Sequence, residues 1–182
     1  GECNALSIEA KTVQHRFKGA GIVTGAEARE IGLVGMHART SGIDMDMRTL
    51  LPGRVYTQHP VASVVESTGD CWARMMLRIR EIDESLEWIL GVLERHGELP
   101  KSRAAITTLA PDSLAIAVTE GWRGPVVHAI ETDTTGKLRH YKVQDPSLLN
   151  WFGLALAVRN NEISDFPICN KSFDLSYAGN DL

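Results

Sequence analysis

A long amphipathic helix in the middle of the chain is the feature that most constrains its fold. Apolar residues recur there at alternating steps of three and four positions, which places them on one face of a continuous helix. We predict this helix over residues 69–96, with a length of roughly 40 Å at about 1.5 Å per residue. Gly97 and Pro100 are suited to ending it. The apolar positions are Trp72, Met75, Ile79, Ile82, Leu86, Ile89 and Leu93.

The opposite face of the same helix is charged and allows two interpretations. It could be solvated, or it could pack against other helices or subunits. Arg74 and Arg78 are four positions apart on this face, so we expect an acidic neighbour to relieve their repulsion. The face consists of Arg74, Arg78, Glu81, Glu84 and Glu87.

The second half of the chain changes to the period-two alternation of β-strands. Three apolar runs predict strands, the turn Asp133–Gly136 joins the last two as a hairpin, and a helix follows after Pro146. Earlier, Thr24 and Glu27 have the spacing of a helix capping box. The predicted fold class is therefore α+β, with a long-helix core and a small antiparallel sheet. The runs are Leu114–Val118, Val126–Ile130 and Leu138–Val143.

We divide the chain into three regions on this pattern. Residues 1–58 form a connecting region with a short helix, and residues 59–112 contain the long helix. Residues 113–182 contain the strands, the second helix and the tail.

Composition narrows the classes of function. The chain is 43% hydrophobic and 23% charged with a formal net charge of -4, which is typical of a globular domain and disfavours binding to nucleic acid. No run of about eighteen apolar residues occurs, so we expect no direct insertion into a membrane. Any association with a membrane is then expected to come through partner proteins.

The spacing of the cysteines does not predict a metal site. Cys3, Cys71 and Cys169 are an odd and widely separated set, so we predict neither a disulfide framework nor a Cys-x-x-Cys metal site. No two of the six histidines have a ligand spacing on one helix face. A hydrolase nucleophile elbow of the form Gly-x-Ser-x-Gly is also absent.

The tail Asp174-Leu-Ser176-Tyr-Ala-Gly179 resembles a known metal-binding segment. Large subunits of nickel-iron hydrogenases carry Asp-Pro-Cys-x-x-Cys there, and the two cysteines hold the bimetallic centre. Ser176 and Gly179 occupy the cysteine positions in this chain. Because a serine hydroxyl is a poor ligand and glycine has no side chain, the tail resembles the metal-free branch of that superfamily, which includes the 49 kDa-type subunit of respiratory complex I.

Four further stretches resemble the same superfamily, with departures at Met36, Trp122 and Leu175, where prolines are usual. Their order and spacing make the set more specific than any one of them. The stretches are Gly32–Gly42 followed by Asp44, Asp46 and Arg48; Gly69–Arg74 followed by Arg78, Glu81 and Ser85; Glu120–Gly124 followed by His128; and Asn150-Trp151 followed by Arg159-Asn160 and Asp165–Pro167.

The resemblance also identifies candidate site residues. Glu120 and Arg123 lie in a glycine-flanked turn after a strand, where the simplest interpretation is an exposed turn with a surface ion pair. In hydrogenases, however, the arginine matching Arg123 lies over the metals and the aspartate matching Asp174 lies beside them. We therefore expect Arg123 and Asp174 to approach each other, and we treat Arg123, Asp174 and Glu120 as candidates for a vestigial site without metal.

The resemblance implies the C-terminal domain of a hydrogenase-like large subunit in an NADH:quinone oxidoreductase. NADH, quinone and iron-sulfur clusters are then expected in the whole complex, with no cofactor bound by this chain. The implied partners are an iron-sulfur small subunit and membrane subunits, and the implied location is peripheral, on the cytoplasmic side of the inner membrane.

The chain begins with Gly1 rather than methionine, and the large subunits it resembles have an extensive segment before the Gly32–Gly42 stretch. The resemblance therefore implies a fragment of a larger subunit that is inactive when isolated. Two alternatives remain open. One is a non-catalytic scaffold subunit of a hydrogenase-related ion-translocating complex, and the other is an active membrane-bound nickel-iron hydrogenase.

Overall fold

The computed structural model describes residues 2–96 and 108–178, and the side chains of residues 4–96 and 108–178. The predictions for Cys3, Gly97, Pro100 and Gly179 concern side chains outside the described residues. In chain order, the helices and strands are α1 (Glu2–Glu9), α2 (Lys11–Phe17), α3 (Gly25–Glu30), α4 (Gly35–Thr40), α5 (Met47–Leu50), α6 (Arg54–Gln58), α7 (Cys71–His96), β1 (Leu114–Gly121), β2 (Gly124–Thr132), β3 (Leu138–Gln144), α8 (Ser147–Ala157), a short 3-10 turn (Ile163–Asp165) and α9 (Phe166–Phe173).

The α+β class is confirmed, with a long helix and a three-stranded antiparallel sheet. Helix α7 runs unbroken over Cys71–His96, as its apolar spacing predicts. At the start of α3, the Thr24 hydroxyl accepts from the Glu27 amide while the Glu27 carboxylate accepts from the Thr24 amide, which is the predicted capping box. The division of the chain into three regions stays a prediction.

The burial of α7 differs from the simplest expectation for an amphipathic helix. From its charged face, Arg74 and Glu81 are buried, whereas Glu84 and Glu87 are exposed. The charged face therefore packs inward along the first half of the helix and is solvated along the second half. The physical reason is that α4 and α9 cover the first half and supply oxygen acceptors and an arginine partner there.

The sheet has the order β1-β2-β3, with both neighbouring pairs antiparallel. β1 and β2 are joined by a two-residue turn, with Gly121 opposite Gly124. In the predicted hairpin turn between β2 and β3, the Asp133 carboxylate accepts from the amides of Thr135 at 2.7 Å and Lys137 at 3.0 Å. The turn between β1 and β2 carries Trp122 and Arg123 toward the rest of the molecule.

The core lies between the first half of α7 and the helices α3, α4, α8 and α9. Its members are Ala20, Val23, Ala28, Leu33, Ala38, Cys71, Leu154, Ala157, Cys169, Phe173 and Leu175, with smaller contributions from half-buried neighbours. Within residues 2–96 and 108–178, no helix has both the length and the hydropathy needed to cross a membrane.

Candidate functional site

Arg123 and Asp174 meet where the β1–β2 turn approaches the tail. The Arg123 Nε donates to the Asp174 carbonyl oxygen, and Nη2 lies 3.4 Å from the Asp174 carboxylate. Asp174 adopts a left-handed backbone conformation, with φ 52°, directly after α9, and this turns the tail toward Arg123. The structure thus brings together the two residues that were expected from the sequence to approach each other. Their interpretation as the remnant of a metal site stays a prediction.

Asn150 on α8 holds the arginine turn in place. Its side-chain oxygen accepts from the Val34 amide at 3.1 Å, and its side-chain nitrogen donates to the Arg123 carbonyl at 3.0 Å. Asn150 is fully buried, so these two bonds satisfy backbone groups that have little access to water. In the sequence, Asn150 stood out only as part of a resemblance, and this role was missed. A polar amide within the apolar run of α8 was the available signal.

A very close backbone contact supports the same turn. An added Cβ on Gly35, at the start of α4, would lie 2.1 Å from the Gly124 Cα, and Gly35 has a positive φ of 58°. Only glycine fits at such an approach. The Gly32–Gly42 stretch and the Glu120–Gly124 turn, which are separate in sequence, are therefore in direct contact.

Below this turn, two arginines of α7 bind the segment before the tail. Arg74 donates to the Ser172 hydroxyl at 2.8 Å and to the Gly21 carbonyl at 2.7 Å. Arg78 donates to the Ser172 carbonyl at 2.6 Å and to the Phe173 carbonyl at 3.3 Å. Burial lowers the pKa of Arg78 to about 10. Oxygen atoms of the α9 segment thus bind the two like-charged groups for which an acidic neighbour was expected.

His37 is a further ionisable group, and it lies beside Phe173. It is 1% exposed, neither ring nitrogen has a hydrogen-bond partner, and its ring stacks on Phe173. Burial lowers the pKa of His37 well below its usual range, and the positive charges of nearby arginines, Arg78 foremost, add to the effect. The ring is therefore neutral at physiological pH.

Glu120 belongs to a different cluster from Arg123 and Asp174. Its carboxylate is buried and lies 3.2 Å from Arg39 Nη1, and it also accepts from the Met47 amide at 3.0 Å. The expectation of an exposed surface ion pair between Glu120 and Arg123 is wrong for Glu120. The physical reason is the alternation of a strand, which sends the Glu120 side chain toward α4 and α5 while the turn carries Arg123 to the tail.

The cluster around Glu120 is a buried ion network centred on Arg39. Arg39 also lies 2.7 Å from Glu81 and 3.2 Å from Asp46, and Arg48 lies 2.6 Å from Asp46 and 2.9 Å from Glu81. Burial raises the pKa of Glu120, against the hydrogen bond from Met47. Most of these residues stood within the resembling stretches, but their union in one network was not predicted from the sequence.

The two described cysteines lie side by side, which their sequence spacing did not predict. The sulfur atoms of Cys71 and Cys169 are 4.0 Å apart, both residues are buried, and both are free thiols. Burial raises the pKa of Cys169 to about 12. In the described ranges, no group of three or more His, Cys, Asp or Glu side chains is arranged to hold a metal ion.

At the tail, Ser176 donates its amide to the Ser147 hydroxyl at 3.0 Å.

Comparison with known proteins gives a consistent assignment. Residues 1–112 match the family described as the 49 kDa subunit of respiratory-chain NADH dehydrogenase. The carbon monoxide-induced hydrogenase of Rhodospirillum rubrum is 29% identical over 163 residues, covering 90% of this chain and 45% of that protein. A subunit of the NADH-quinone oxidoreductase of Clostridium beijerinckii is 33% identical over 138 residues, covering 75% of this chain and 37% of that protein.

A third relative, a subunit of the NADH-quinone oxidoreductase of Thermus thermophilus, is 28% identical over 199 aligned positions, covering 95% of this chain and 49% of that protein. These matches define the class of the chain, which is the superfamily of hydrogenase-like proteins that includes the complex I 49 kDa-type subunits. Within that class, the chain belongs to the family of the 49 kDa subunit of respiratory-chain NADH dehydrogenase. The chain spans less than half the length of these three relatives.

Proposed function

We propose that this chain is the C-terminal domain of a hydrogenase-like large subunit in an NADH:quinone oxidoreductase. In the whole complex, electrons would pass from NADH through iron-sulfur clusters to quinone. The chain itself would bind none of these groups, and it would be inactive when isolated. Its role would be to shape the large subunit around a pocket that no longer coordinates nickel and iron.

The observation that carries this proposal is the contact of Arg123 with Asp174 beside a tail that has Ser176 where the superfamily's metal-binding members have cysteine. A guanidinium that binds the aspartate and its carbonyl satisfies both charges without a metal. A neutral serine hydroxyl cannot replace a soft thiolate toward nickel. The arrangement supports a structural role in which Arg123 fastens the tail to the β1–β2 turn.

Membership of the 49 kDa family supports the proposed assembly, because two of the relatives are named as subunits of NADH-quinone oxidoreductase. The proposed partners are an iron-sulfur small subunit and membrane subunits. The proposed location is peripheral, on the cytoplasmic side of the inner membrane, with the attachment made by those partners.

A second candidate is supported by the similarity to the carbon monoxide-induced hydrogenase. An active nickel-iron hydrogenase would need thiolate ligands at the tail, where the described residues supply Ser176. A third candidate is a scaffold subunit in a related ion-translocating complex, which would keep the pocket but lack quinone chemistry. The nickel content of the complex and its electron acceptor therefore distinguish the three candidate functions.

The test uses the whole complex purified from its native membrane. We expect NADH-dependent quinone reduction with far less than one nickel per complex. Stoichiometric nickel together with hydrogen evolution would establish the hydrogenase instead. An intact complex with its small subunit but with no NADH:quinone activity would establish the scaffold.

Variants of Arg123 then test the pocket within that complex. Arg123→Ala should lower quinone reduction while leaving NADH oxidation by hexacyanoferrate(III) unchanged, because the NADH-oxidising part lies elsewhere. Arg139→Ala is the matched control, since Arg139 is an exposed arginine that pairs with Glu131 on the sheet. Wild-type quinone reduction in Arg123→Ala, with the complex intact, would show that the pocket does not matter for the reaction.

A further inference from the structure

Two buried thiols lie beside each other where the start of α7 meets α9. Cys71 is the first residue of α7, and Cys169 lies in α9, 98 positions later in the sequence. Their sulfur atoms are 4.0 Å apart, and both residues are fully buried. A disulfide holds its sulfur atoms about 2.05 Å apart, so these two atoms would have to approach by about 2 Å to form one. The distance is therefore short enough for a disulfide to form after a small local movement.

The atoms around the two sulfurs keep them together. A Cβ added to Gly21 would lie 2.6 Å from the Cys169 sulfur and 3.2 Å from the Cys71 sulfur, so the glycine leaves just enough room for both. The Gly21 backbone is held in turn by Arg74, which donates to its carbonyl at 2.7 Å. The Ser172 hydroxyl lies 3.5 Å from the Cys71 sulfur. Close neighbours thus limit how far the sulfurs can move apart.

A cavity beside α7 and α9 gives a small oxidant a route to the pair. Its volume is about 350 Å³, and Cys71 belongs to its wall together with Met75 and Ile168. Lys171, which also lines it, is exposed, so the cavity opens to solvent in the described part of the chain. Cys169 is not one of the described residues that line it. A molecule of the size of hydrogen peroxide that enters the cavity would therefore meet Cys71 first.

The chemical surroundings of the two sulfurs also differ. Arg74 Nη2 lies 3.5 Å from the Cys71 sulfur, so an oxygen atom added to this sulfur could accept a hydrogen bond from the guanidinium. Burial, together with the nearby Cys71, raises the pKa of Cys169 to about 12, so its thiol stays protonated and is a poor nucleophile toward peroxide. The part of this rise in pKa that comes from the charge on Cys71 is removed when Cys71 becomes a neutral sulfenic acid.

We propose that Cys71 and Cys169 are a peroxide-reactive pair that closes to a disulfide. In the first step the Cys71 sulfur attacks one oxygen of hydrogen peroxide, the O–O bond breaks, and the thiol proton leaves with the other oxygen as water. In the second step the Cys169 sulfur attacks the sulfur of the Cys71 sulfenic acid, the S–O bond breaks, and the hydroxide takes the Cys169 proton to leave as water. Two thiols are oxidised to one disulfide, and one peroxide is reduced to two waters.

The disulfide would tie the start of α7 to the helix that precedes the tail. Helix α9 carries Ser172 and Phe173, whose oxygen atoms bind Arg74 and Arg78, and it leads directly to Asp174. Oxidation would therefore restrain the segment that positions the tail. Neither step involves NADH, quinone or nickel, so the proposal stands or fails separately from the proposed function.

The test uses the full-length subunit within the complex isolated without oxygen from its native membrane. The complex is treated with hydrogen peroxide, the remaining thiols are blocked with N-ethylmaleimide in denaturant, and the protein is digested with trypsin without reduction. Residues 55–74 and 160–171 are then two peptides with one cysteine each, and mass spectrometry measures how much of them is joined. We expect the joined form to increase at least about fivefold over the untreated complex, and to disappear after treatment with dithiothreitol.

Two matched variants identify which thiol reacts first. In Cys169→Ser the sulfenic acid has no thiol to resolve it, so dimedone should label Cys71 at least about fivefold more than in the wild type. In Cys71→Ser the labelling of Cys169 should stay at the level of the untreated protein. Each variant removes one sulfur and keeps the other, and recovery of the intact complex checks that each is folded. Equal labelling of the remaining cysteine in both variants would overturn the proposal.

Met75 reports whether peroxide reaches the cavity, because it lines the same wall as Cys71. Oxidation of Met75 without joined peptides would overturn the proposal, since the oxidant would have arrived without reacting with the pair. Unoxidised Met75 without joined peptides would overturn it as well, because the cavity would then be closed in the complex. Complete joining before any peroxide is added would show a permanent disulfide rather than a pair that responds to peroxide.

Discussion

The ring of His37 lies against the ring of Phe173, with centroids 4.7 Å apart and planes inclined by 14°. The Arg74 guanidinium also lies over the Phe173 ring, at 4.4 Å from its centroid. The stack joins α4, α7 and α9 directly below the segment that Arg123 binds. It therefore fixes a histidine in a place where a protonated ring would be unfavourable.

Stability should fall as the pH decreases from 7 to 5 because of His37. Its pKa in the folded protein lies well below the unfolded value near 6.5, so the unfolded chain binds a proton that the folded chain does not. The contribution of the neutral ring is fully present above about pH 6.5, and below that it decreases by about 1.4 kcal/mol per pH unit. Urea unfolding at a series of pH values measures this slope, and His37→Phe should flatten it. An unchanged slope in His37→Phe would contradict the attribution of the slope to His37, and His15→Gln on the exposed surface of α2 is the control.

Removing the Asn150 side-chain amide should destabilise the protein strongly. Asn150→Leu leaves the buried Val34 amide and the Arg123 carbonyl without their partner, at a cost of about 3 kcal/mol. Urea denaturation measures the loss. Asn170→Leu removes an amide that bonds an exposed tyrosine hydroxyl, and it should cost less than about 0.5 kcal/mol. Similar losses in the two variants would argue against a special role for Asn150.

Two glycines with positive φ should respond very differently to alanine. Gly35→Ala would force a methyl group to 2.1 Å from the Gly124 Cα, so we expect a loss of at least about 3 kcal/mol. Gly42 has φ of 82° but open space around an added Cβ, so Gly42→Ala should cost only about 1 kcal/mol of backbone strain. Thermal unfolding of both variants compares the losses. A Gly35→Ala protein as stable as Gly42→Ala would contradict the close contact of the two backbone segments.

Breaking the buried ion network should cost far more than breaking a surface pair. Arg39→Met removes the positive charge that pairs with the buried carboxylates of Glu81, Glu120 and Asp46. We therefore expect the free energy of unfolding to fall by about 3 to 5 kcal/mol. Arg139→Met breaks an exposed pair with Glu131 and should cost less than about 1 kcal/mol. Denaturant unfolding provides both values. A small loss in Arg39→Met would mean that the network contributes little to the fold.

Much of the local structure could be predicted because it depends on near neighbours in sequence. The spacing from Trp72 to Leu93 predicts α7, and the Asp133–Gly136 turn predicts the second hairpin. The approach of Arg123 to Asp174 was also predicted, but through resemblance to a family rather than from spacing. Residue patterns alone offered no reason to join a turn to a tail 51 positions away.

Contacts between distant segments could not be predicted from the same patterns. Periodicity separated the two faces of α7 correctly, but it did not reveal that Arg74 and Glu81 are buried while Leu86 is exposed. Which face is covered depends on the partners that other segments supply, and a buried arginine is stable only where carbonyl or carboxylate oxygens meet it. The same reason explains why Glu120 joins Arg39 rather than Arg123.

The amino-acid sequence by itself determined the capped start of α3, the helices α7 and α8, the three strands with the second hairpin, the fold class and the serine in the tail, because each depends on periodicity, turn chemistry or residue identity over a few positions. Only the tertiary structure decided which charges are paired, which thiols are neighbours and which residues of α7 are buried. Those outcomes depend on desolvation and on hydrogen bonding between segments far apart in the chain, and no local pattern records them.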